Sequence, residues 1–461
     1  MQQISYTSSS KSNFLRNVKR IAAVCVTLAL IVAGLYVHSR MVRRDDVTHD
    51  KSSFFNDRDY DVLFFGTSHM RAGIIPFQLW KDYGITSYNL AVNSMQIDTA
   101  YYAIKEACSY HKPKIAVLDV YSCRLNYPDV DEETAVSRFQ LLSDNFIISK
   151  NKVCAVKSFF SDRDVQKQLL FPYTLYHSRW NETSFRFSHA WNELDFHEIN
   201  AGCGFGPYLR LARNISEYEL MRRICEDEYL NNEDSDGILY VKKFISFCKE
   251  NGILPVLVYL PVASGVLQQK EGNTMQRIAT ELNVPYYNML PYESNLIDYH
   301  VDLHDCNVGK EDSDKDTMAN GNIHLNLSGA IKVTDYIGKI LRNDFNLADH
   351  RGESGYESWK DDYKTFRKYI LGEISKQSEV DVLLMSCMFE GLSVQLDVAE
   401  GIAFDDVEQR LIAQLGKRIS VVPSTRKELE CDVHITVTDD ETHDTVTEKS
   451  FNTGYSTFRA K

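Results

Sequence analysis

The chain has 461 residues, of which 44% are hydrophobic and 25% are charged, a composition typical of a globular protein and not of a disordered one. This length predicts two folded units with appendages, because one ordinary compact domain is shorter. The formal net charge of −13 argues against a nucleic-acid partner, since binding a phosphate backbone requires a positive field.

An apolar segment at residues 21–39 contains no formally charged side chain. As a helix it would span about 28 Å, close to the thickness of a bilayer's hydrocarbon core. An uncleaved, single-pass anchor is favoured over a cleaved signal peptide, whose apolar core is usually only about 7 to 15 residues long. Basic residues flank both ends almost equally, so the positive-inside rule barely favours either orientation. We expect residues 1–20 to be cytoplasmic, residues 40–58 to be a linker and the main domain to lie outside.

Short apolar strands then alternate with helical patterns, and this alternation is typical of a parallel sheet with helices on its faces. The predicted fold class is α/β, with a doubly wound, flavodoxin-like parallel sheet in a domain at residues 59–345. The predicted elements are strands at 61–65, 87–91, 114–121, 254–260 and 284–288, and helices at 76–83, 97–111, 237–251, 273–282 and 328–342.

Three regions differ from this pattern. Residues 125–235 are aromatic-rich and mostly helical in pattern, which predicts an inserted subdomain or lid. Residues 346–375 are predicted to be a helical linker, and residues 376–461 a small C-terminal α+β or β-rich domain. Within that last domain, the sequence predicts strands at 380–388 and 431–438 and a helix at 405–415.

Cysteine usage gives little support to metal sites or to a disulfide framework. The ten cysteines are scattered singly, without the Cys-x-x-Cys or Cys/His spacing of a zinc site. Cys25 lies in the apolar segment, which leaves an odd number of cysteines outside it, although one or two disulfide bridges remain open.

The acidic stretch at 302–316 lacks the spacing of a calcium loop and is interpreted as a solvated loop. No cofactor and no metal site are predicted.

Ser68 and His324 are the candidate chemical groups. Ser68 follows the first strand by three residues, in a turn opened by Gly66, and ligands gather beyond the carboxyl ends of the strands in an open parallel sheet. The alternative is a polar turn that merely caps the next helix. His324 precedes the last helix of the same domain, where the chain would return to that edge. A histidine, with a pKa of about 6.5, can accept a serine proton at neutral pH and return it to a leaving group.

The order and spacing of four short motifs resemble one family. The motifs are Gly66-x-Ser68, Tyr88-Asn-Leu-Ala91 followed by Asn93 and Gln96, Leu118-Asp-Val-Tyr121, and His324-Leu-Asn-x-x-Gly329. Together they are similar to the SGNH (GDSL-type) hydrolase superfamily. Within it, the chain looks like the membrane-anchored envelope members related to the D-alanine-transfer protein DltD and to alginate O-acetylation proteins. The resemblance covers roughly residues 60–345.

The resemblance implies that Ser68 is the nucleophile and His324 the base. The N–H of Ser68 would supply one oxyanion donor and Asn93 a second. The family's usual Asp, three residues before the histidine, is replaced here by Gly321. Asp316, Asp314 or Asp312 is the candidate replacement for this orienting acid, with a Ser–His dyad as the alternative.

Other polar residues are candidates for substrate binding. The family's Asn after the third strand has no clear counterpart here, and Ser122, Arg124 and Asn126 are the candidates for it. His177 and Arg179 could contact a saccharide or an anion, although packing within the inserted subdomain is the alternative. The residues assigned to substrate binding are His69, Gln96, Arg124, His177 and Arg179.

The resemblance implies an extracytoplasmic enzyme that transfers or hydrolyses a small acyl group, with acetyl expected, on a cell-surface glycan. The expected partners are a cell-surface polysaccharide or its acyl donor, and a polytopic membrane acyltransferase that delivers the donor. Two alternatives stay open. One is D-alanyl ester chemistry on teichoic-acid-like polymers, and the other is a non-catalytic scaffold or glycan-binding component, which the loss of Asp at position 321 supports.

Overall fold

The computed structural model describes residues 8–41, 51–55, 58–121, 123, 131–146, 148–171, 202–211, 223–231, 235–262, 265–290, 306–307, 324–424 and 431–452. Two compact units are present. The first comprises Met1–Thr48 and Val156–Glu198, and the second comprises His49–Ala155 and Ile199–Lys461.

Helices and strands alternate along most of the described chain. The helices are α1 Ser8–Met41, α2 Ser68–Gly73, α3 Pro76–Tyr83, α4 Ile97–Ala107, α5 Glu132–Ser143, α6 Lys150–Phe159, α7 Arg163–Leu170, α8 Asp236–Glu250, α9 Val266–Leu282, α10 Leu327–Asn343, α11 Glu357–Ser375, α12 Val380–Ser386 and α13 Asp406–Leu415. The strands are β1 Val62–Phe65, β2 Ser87–Asn89, β3 Ile115–Asp119, β4 Leu254–Tyr259, β5 Tyr286–Asn288, β6 Cys306–Asn307, β7 His324–Leu325, β8 Leu392–Ala399, β9 Ile419–Ser424, β10 Val433–Asp439 and β11 Thr445–Phe451.

The first unit contains one long apolar helix, α1. Its segment Phe14–Leu35 has 22 residues and a mean hydropathy of 2.1, and is long and apolar enough to cross a membrane. At 1.5 Å per residue it would extend about 33 Å. Large apolar side chains along it, such as Leu28 and Leu30, are exposed. The apolar helix is therefore present, and its segment of membrane-spanning length begins seven residues before the predicted segment.

The second unit is built on a five-stranded sheet in the order β2-β1-β3-β4-β5, and all of its neighbouring strands are parallel. The predicted α/β class with a parallel sheet is confirmed. Successive side chains on a strand point to opposite faces, and both faces of this sheet are buried. Leu63 and Phe65 of β1 lie in one apolar cluster, and Val62 and Phe64 lie in another.

A second sheet, in the order β11-β10-β8-β9, lies near the carboxyl end of the chain. β10 runs antiparallel to β8 and β11, whereas β8 and β9 are parallel. The predicted strand at 431–438 and helix at 405–415 correspond to β10 and α13. Asp405 and Glu408 form a reciprocal capping box that begins α13.

The predicted strand at 380–388 is wrong, because this segment forms helix α12. All seven residues of α12 are buried, and Ser386 donates its hydroxyl hydrogen to the carbonyl of Val382 one turn earlier. A short apolar run that is buried on every side has the same pattern in a strand and in a helix. Periodicity therefore could not distinguish the two structures here.

Helix α11, in the predicted linker at 346–375, packs against the parallel sheet. Trp359 and Phe366 are buried in the apolar cluster that contains β1. The buried Arg367 guanidinium donates to Asp439 of β10 at 2.7 Å and to the carbonyls of Glu390 and Gly391. These bonds join α11 to the second sheet. The division of the chain into domains at residues 345 and 376 stays a prediction.

Candidate active site

Ser68 begins helix α2 at the carboxyl end of β1, an inner strand of the parallel sheet. The Thr67 side chain caps this helix by accepting the N–H of His69 at 3.3 Å. Gly66 passes so close to β3 that an added Cβ would lie 2.8 Å from the Cβ of Asp119. The glycine thus lets the chain turn sharply and leaves Ser68 half-buried at the edge of the sheet.

His324 lies beside Ser68 although the two are 256 residues apart in sequence. The Oγ of Ser68 and the Nε2 of His324 are 2.7 Å apart. His324 is in β7, which pairs antiparallel with β6 so that His324 faces Asn307. Asn326 then caps α10 by accepting the N–H of Gly329 at 3.1 Å. The cap begins α10 directly after β7 and so holds the histidine at the start of that helix.

Two aromatic rings contact the imidazole of His324, and a third contacts one of these two. The His69 ring stacks on the imidazole with centroids 4.5 Å apart and an interplanar angle of 15°. Tyr121 contacts His69, and the centroids of these two rings lie 4.1 Å apart. Tyr208 approaches His324 itself at 5.0 Å. His69 is 4% exposed, so it packs against the His324 ring and presents little open surface to a ligand.

The predicted oxyanion side of the site follows β2. Val92 donates its N–H to the carbonyl of Gly66 at 3.3 Å, which places the Asn93 turn next to the Ser68 turn. Asn93 is half-buried, and its Oδ1 has no hydrogen-bond partner within the described residues. Gln96 is 2% exposed, and its Nε2 donates to the carbonyl of Ser94 at 3.3 Å. Gln96 therefore stabilises this turn through its bond to Ser94.

Asn89, at the end of β2, fixes the distance between this turn and helix α2. Its buried Nδ2 donates to the carbonyls of Met70 and Ile74 at 2.9 and 3.2 Å. Its Oδ1 accepts the N–H of Ala91 at 3.2 Å. One amide side chain thus joins the segment carrying Ser68 to the segment carrying the predicted oxyanion donor. Asn89 lies inside a motif that carries the family resemblance, but the sequence did not single it out.

Asp119 ends β3 behind the Ser68 turn and is fully buried. Burial raises the pKa of its carboxyl to about 7, and hydrogen bonds from the backbone N–H groups of Tyr121 and Leu260 oppose that rise. The bond to Tyr121 measures 3.3 Å. Asp119 therefore shapes the turn that presents the Tyr121 ring to His69.

A glycine-rich segment at residues 202–211, which the sequence did not single out, borders the site. The fully buried Lys51 fixes the backbone of this segment, since the Nζ of Lys51 donates to the carbonyls of Asn89 and Gly204 at 2.8 and 2.9 Å. Tyr208, which contacts His324, accepts the N–H of Leu327 with its own carbonyl at 3.0 Å. The clustered glycines in this stretch were the one sequence signal for a segment with close backbone approaches.

Arg71 of α2 packs against the same segment. An added Cβ on Gly206 would lie 2.1 Å from the Arg71 guanidinium carbon, so the glycine lets the guanidinium pack directly against the backbone there. Burial lowers the pKa of Arg71, and the neighbouring Tyr208 and Tyr369 oppose this shift.

Several predicted site residues lie outside the described residues. They are Asp316 and its alternatives Asp312 and Asp314, together with Arg124, His177 and Arg179. Their assignments stay predictions. In the part of the chain that the structure describes, Ser68, His324, His69, Asn93 and Gln96 belong to one site at the carboxyl edge of the parallel sheet.

No protein-family model matches this sequence, and no curated protein matches it.

Proposed function

We propose that this chain is an SGNH-type serine enzyme that carries an acyl group, with acetyl expected, to or from a cell-surface glycan. The observation that carries the proposal is the 2.7 Å contact between the Ser68 hydroxyl and the His324 imidazole. A nucleophile and its base must lie within such a distance for proton transfer. The strand order 2-1-3-4-5 is that of flavodoxin-like, doubly wound sheets, which supports the fold implied by the resemblance.

In this mechanism Ser68 Oγ attacks the carbonyl carbon of an ester while its proton moves to Nε2 of His324. The negative oxygen of the tetrahedral intermediate forms next to the Ser68 N–H and Asn93. Collapse breaks the bond to the leaving alcohol, which takes the proton from His324, and leaves an acyl group on Ser68. An acceptor hydroxyl of a glycan, or water, then attacks this ester and returns its proton to Ser68 through His324.

The His69 and Tyr208 rings, which contact His324, support this cycle by limiting how its imidazole can rotate. In family members an aspartate contributes to this orientation, and position 321 is a glycine here. These ring contacts can hold the plane of the imidazole, although they do not replace the charge of an acid. Asp316 stays the candidate for that charge.

Helix α1 provides the proposed anchor, with residues 1–20 inside the cell and the catalytic unit outside. A chain so placed would meet envelope polysaccharide directly. It would receive activated acyl groups through a polytopic membrane partner, as the family resemblance implies. D-alanyl transfer differs from this proposal only in the acyl group and the polymer.

The test is hydrolysis of 4-nitrophenyl acetate by the full chain in detergent micelles. Ser68→Ala and His324→Ala are each expected to lower the enzymatic rate about a thousandfold or more, because nucleophile and base act as a unit. Ser109→Ala, at an exposed position, and His434→Ala, at a half-buried position of β10, are the matched controls elsewhere in the second unit and should keep the wild-type rate. Equal rates in all five proteins would reject the enzyme and favour the non-catalytic scaffold.

A further inference from the structure

A polar cleft of about 390 Å³ lies at the free side of β5, the last strand of the parallel sheet in the described chain. This volume falls within the range of about 300–1,000 Å³ that is usual for ligand sites. Four tyrosines line the cleft. Tyr286 and Tyr287 come from β5 itself, Tyr336 from α10 and Tyr229 from the segment at residues 223–231.

The cleft has a fixed wall, because polar side chains of α9 hold that segment in place. Gln269 Oε1 accepts the N–H groups of Ile224 and Cys225 at 2.9 and 3.0 Å. Asn273 is 6% exposed, and its Nδ2 donates to the carbonyl of Glu228 at 2.8 Å. The N–H of Leu230 reaches the Thr274 hydroxyl at 2.9 Å. The irregular segment thus has the ordered backbone that a preformed binding site requires.

The tyrosine rings are also held at fixed positions. The hydroxyl of Tyr286 donates to the carbonyl of Gly272 at 3.3 Å, and that of Tyr287 lies 3.4 Å from Asp344 Oδ2. The Arg277 guanidinium covers the Tyr229 ring at 4.4 Å from its centroid. Rigid aromatic rings give large contact areas and lose little conformational entropy on binding.

The other described side chains of the lining can form hydrogen bonds, and their charges nearly cancel. Gln276 and Asn288 contribute side-chain amides, and Arg223 and Glu226 contribute one positive and one negative charge. A polyanion such as a nucleic acid would meet no net positive field here. A purely apolar ligand would bury these polar groups without partners, which is costly.

A sugar matches both the aromatic part and the hydrogen-bonding part of this lining. Its ring faces carry apolar C–H groups that pack on aromatic rings, and its edges carry hydroxyls that bind amides, guanidinium and carboxylate groups. We infer that the cleft bounded by Tyr229, Tyr287 and Tyr336 is a binding site for an uncharged saccharide chain. It is separate from the Ser68 site, since β5 lies three strands from β1, about 14 Å across the sheet.

The positions of the two sites suit a polymeric ligand that contacts both of them. Asn288 ends β5 at the same carboxyl edge of the sheet where Ser68 follows β1. A glycan held in the cleft could extend along this edge and present a neighbouring unit to Ser68. This second statement rests on the proposed function, whereas binding in the cleft does not.

The experiment measures binding of uncharged hexasaccharides of glucose, mannose, galactose and N-acetylglucosamine to the full chain in detergent micelles by isothermal titration calorimetry. Saturable binding of at least one is expected. Tyr229→Ala and Tyr336→Ala should each weaken it about tenfold, a usual effect of truncating an aromatic contact. Tyr110→Ala, at a tyrosine of similar exposure outside the cleft, is the matched control and should bind like wild type.

Ser68→Ala should bind the hexasaccharide as well as wild type does while losing hydrolysis of 4-nitrophenyl acetate, and Tyr110→Ala should keep both binding and hydrolysis. Failure of the binding site and failure of the proposed catalysis are thereby distinguished. Absence of binding by every uncharged hexasaccharide would overturn the inference. So would equal binding by wild type and both cleft variants, or a preference for hexagalacturonate or for an extended peptide that could pair with the β5 edge.

Discussion

Replacing Asp119 with asparagine should remove a pH dependence from the stability of the chain. The carboxyl has a pKa of about 7 when folded, because it is buried, and an ordinary value of 3.8 when exposed. The folded chain therefore holds this proton more tightly than the unfolded chain does. The contribution to stability is fully present below about pH 3.8 and is lost as the pH rises through about 7.

The magnitude follows from these two pKa values. Between pH 5 and pH 8, this one group should lower the free energy of unfolding by about 3 kcal/mol, which corresponds to roughly 5 °C in melting temperature. Asp119→Asn keeps the shape of the side chain and cannot ionise. The melting temperature of the variant minus that of the wild type should therefore increase by roughly 5 °C from pH 5 to pH 8.

The assay is thermal unfolding of the full chain in detergent micelles, followed by intrinsic fluorescence at several pH values. Asp227→Asn is the matched control, since Asp227 is exposed, and it should preserve the wild-type pH profile. If the wild type and Asp119→Asn have parallel profiles from pH 5 to pH 8, the argument that burial keeps the proton on Asp119 is refuted.

Two further substitutions test how the site is built. Gly66→Ala should destabilise the chain by about 1–3 kcal/mol, because the new methyl group collides with Asp119. The melting temperature and the esterase activity should therefore both decrease. Wild-type values of both would show that the turn has room for a side chain. Lys51→Met should cost about 2–5 kcal/mol, since the buried carbonyls of Asn89 and Gly204 lose this donor. An unchanged melting temperature would mean that this lysine does not hold the glycine-rich segment.

The parallel sheet was predictable because its strands have strong local patterns. β3 and β4 are continuous apolar runs buried on both faces, and helix α3, between β1 and β2, ends at a clear signal, Gly84. Helix α9 was predicted to begin seven residues too late. Its first turns contain Gln269 and Glu271, polar side chains that are buried by bonds to distant segments, so they carry no apolar periodicity.

Ser68 and His324 could be singled out from their positions at the ends of predicted elements. Tyr208 and Lys51 could not, because their roles depend on long-range contacts with His324 and with two backbone carbonyls. A single sequence contains no signal that brings such residues together. The same limit applies to the β5 cleft, whose tyrosines come from three separate segments of the chain.

The most direct test of the central claim is covalent labelling of the full chain with a fluorophosphonate probe, followed by peptide mapping. The account predicts one phosphonylated residue, Ser68, with labelling abolished in Ser68→Ala and strongly slowed in His324→Ala, since the imidazole must remove the hydroxyl proton. Absence of labelling at Ser68 in the folded wild-type chain, or equal labelling in His324→Ala, would contradict the proposed serine nucleophile and its histidine base.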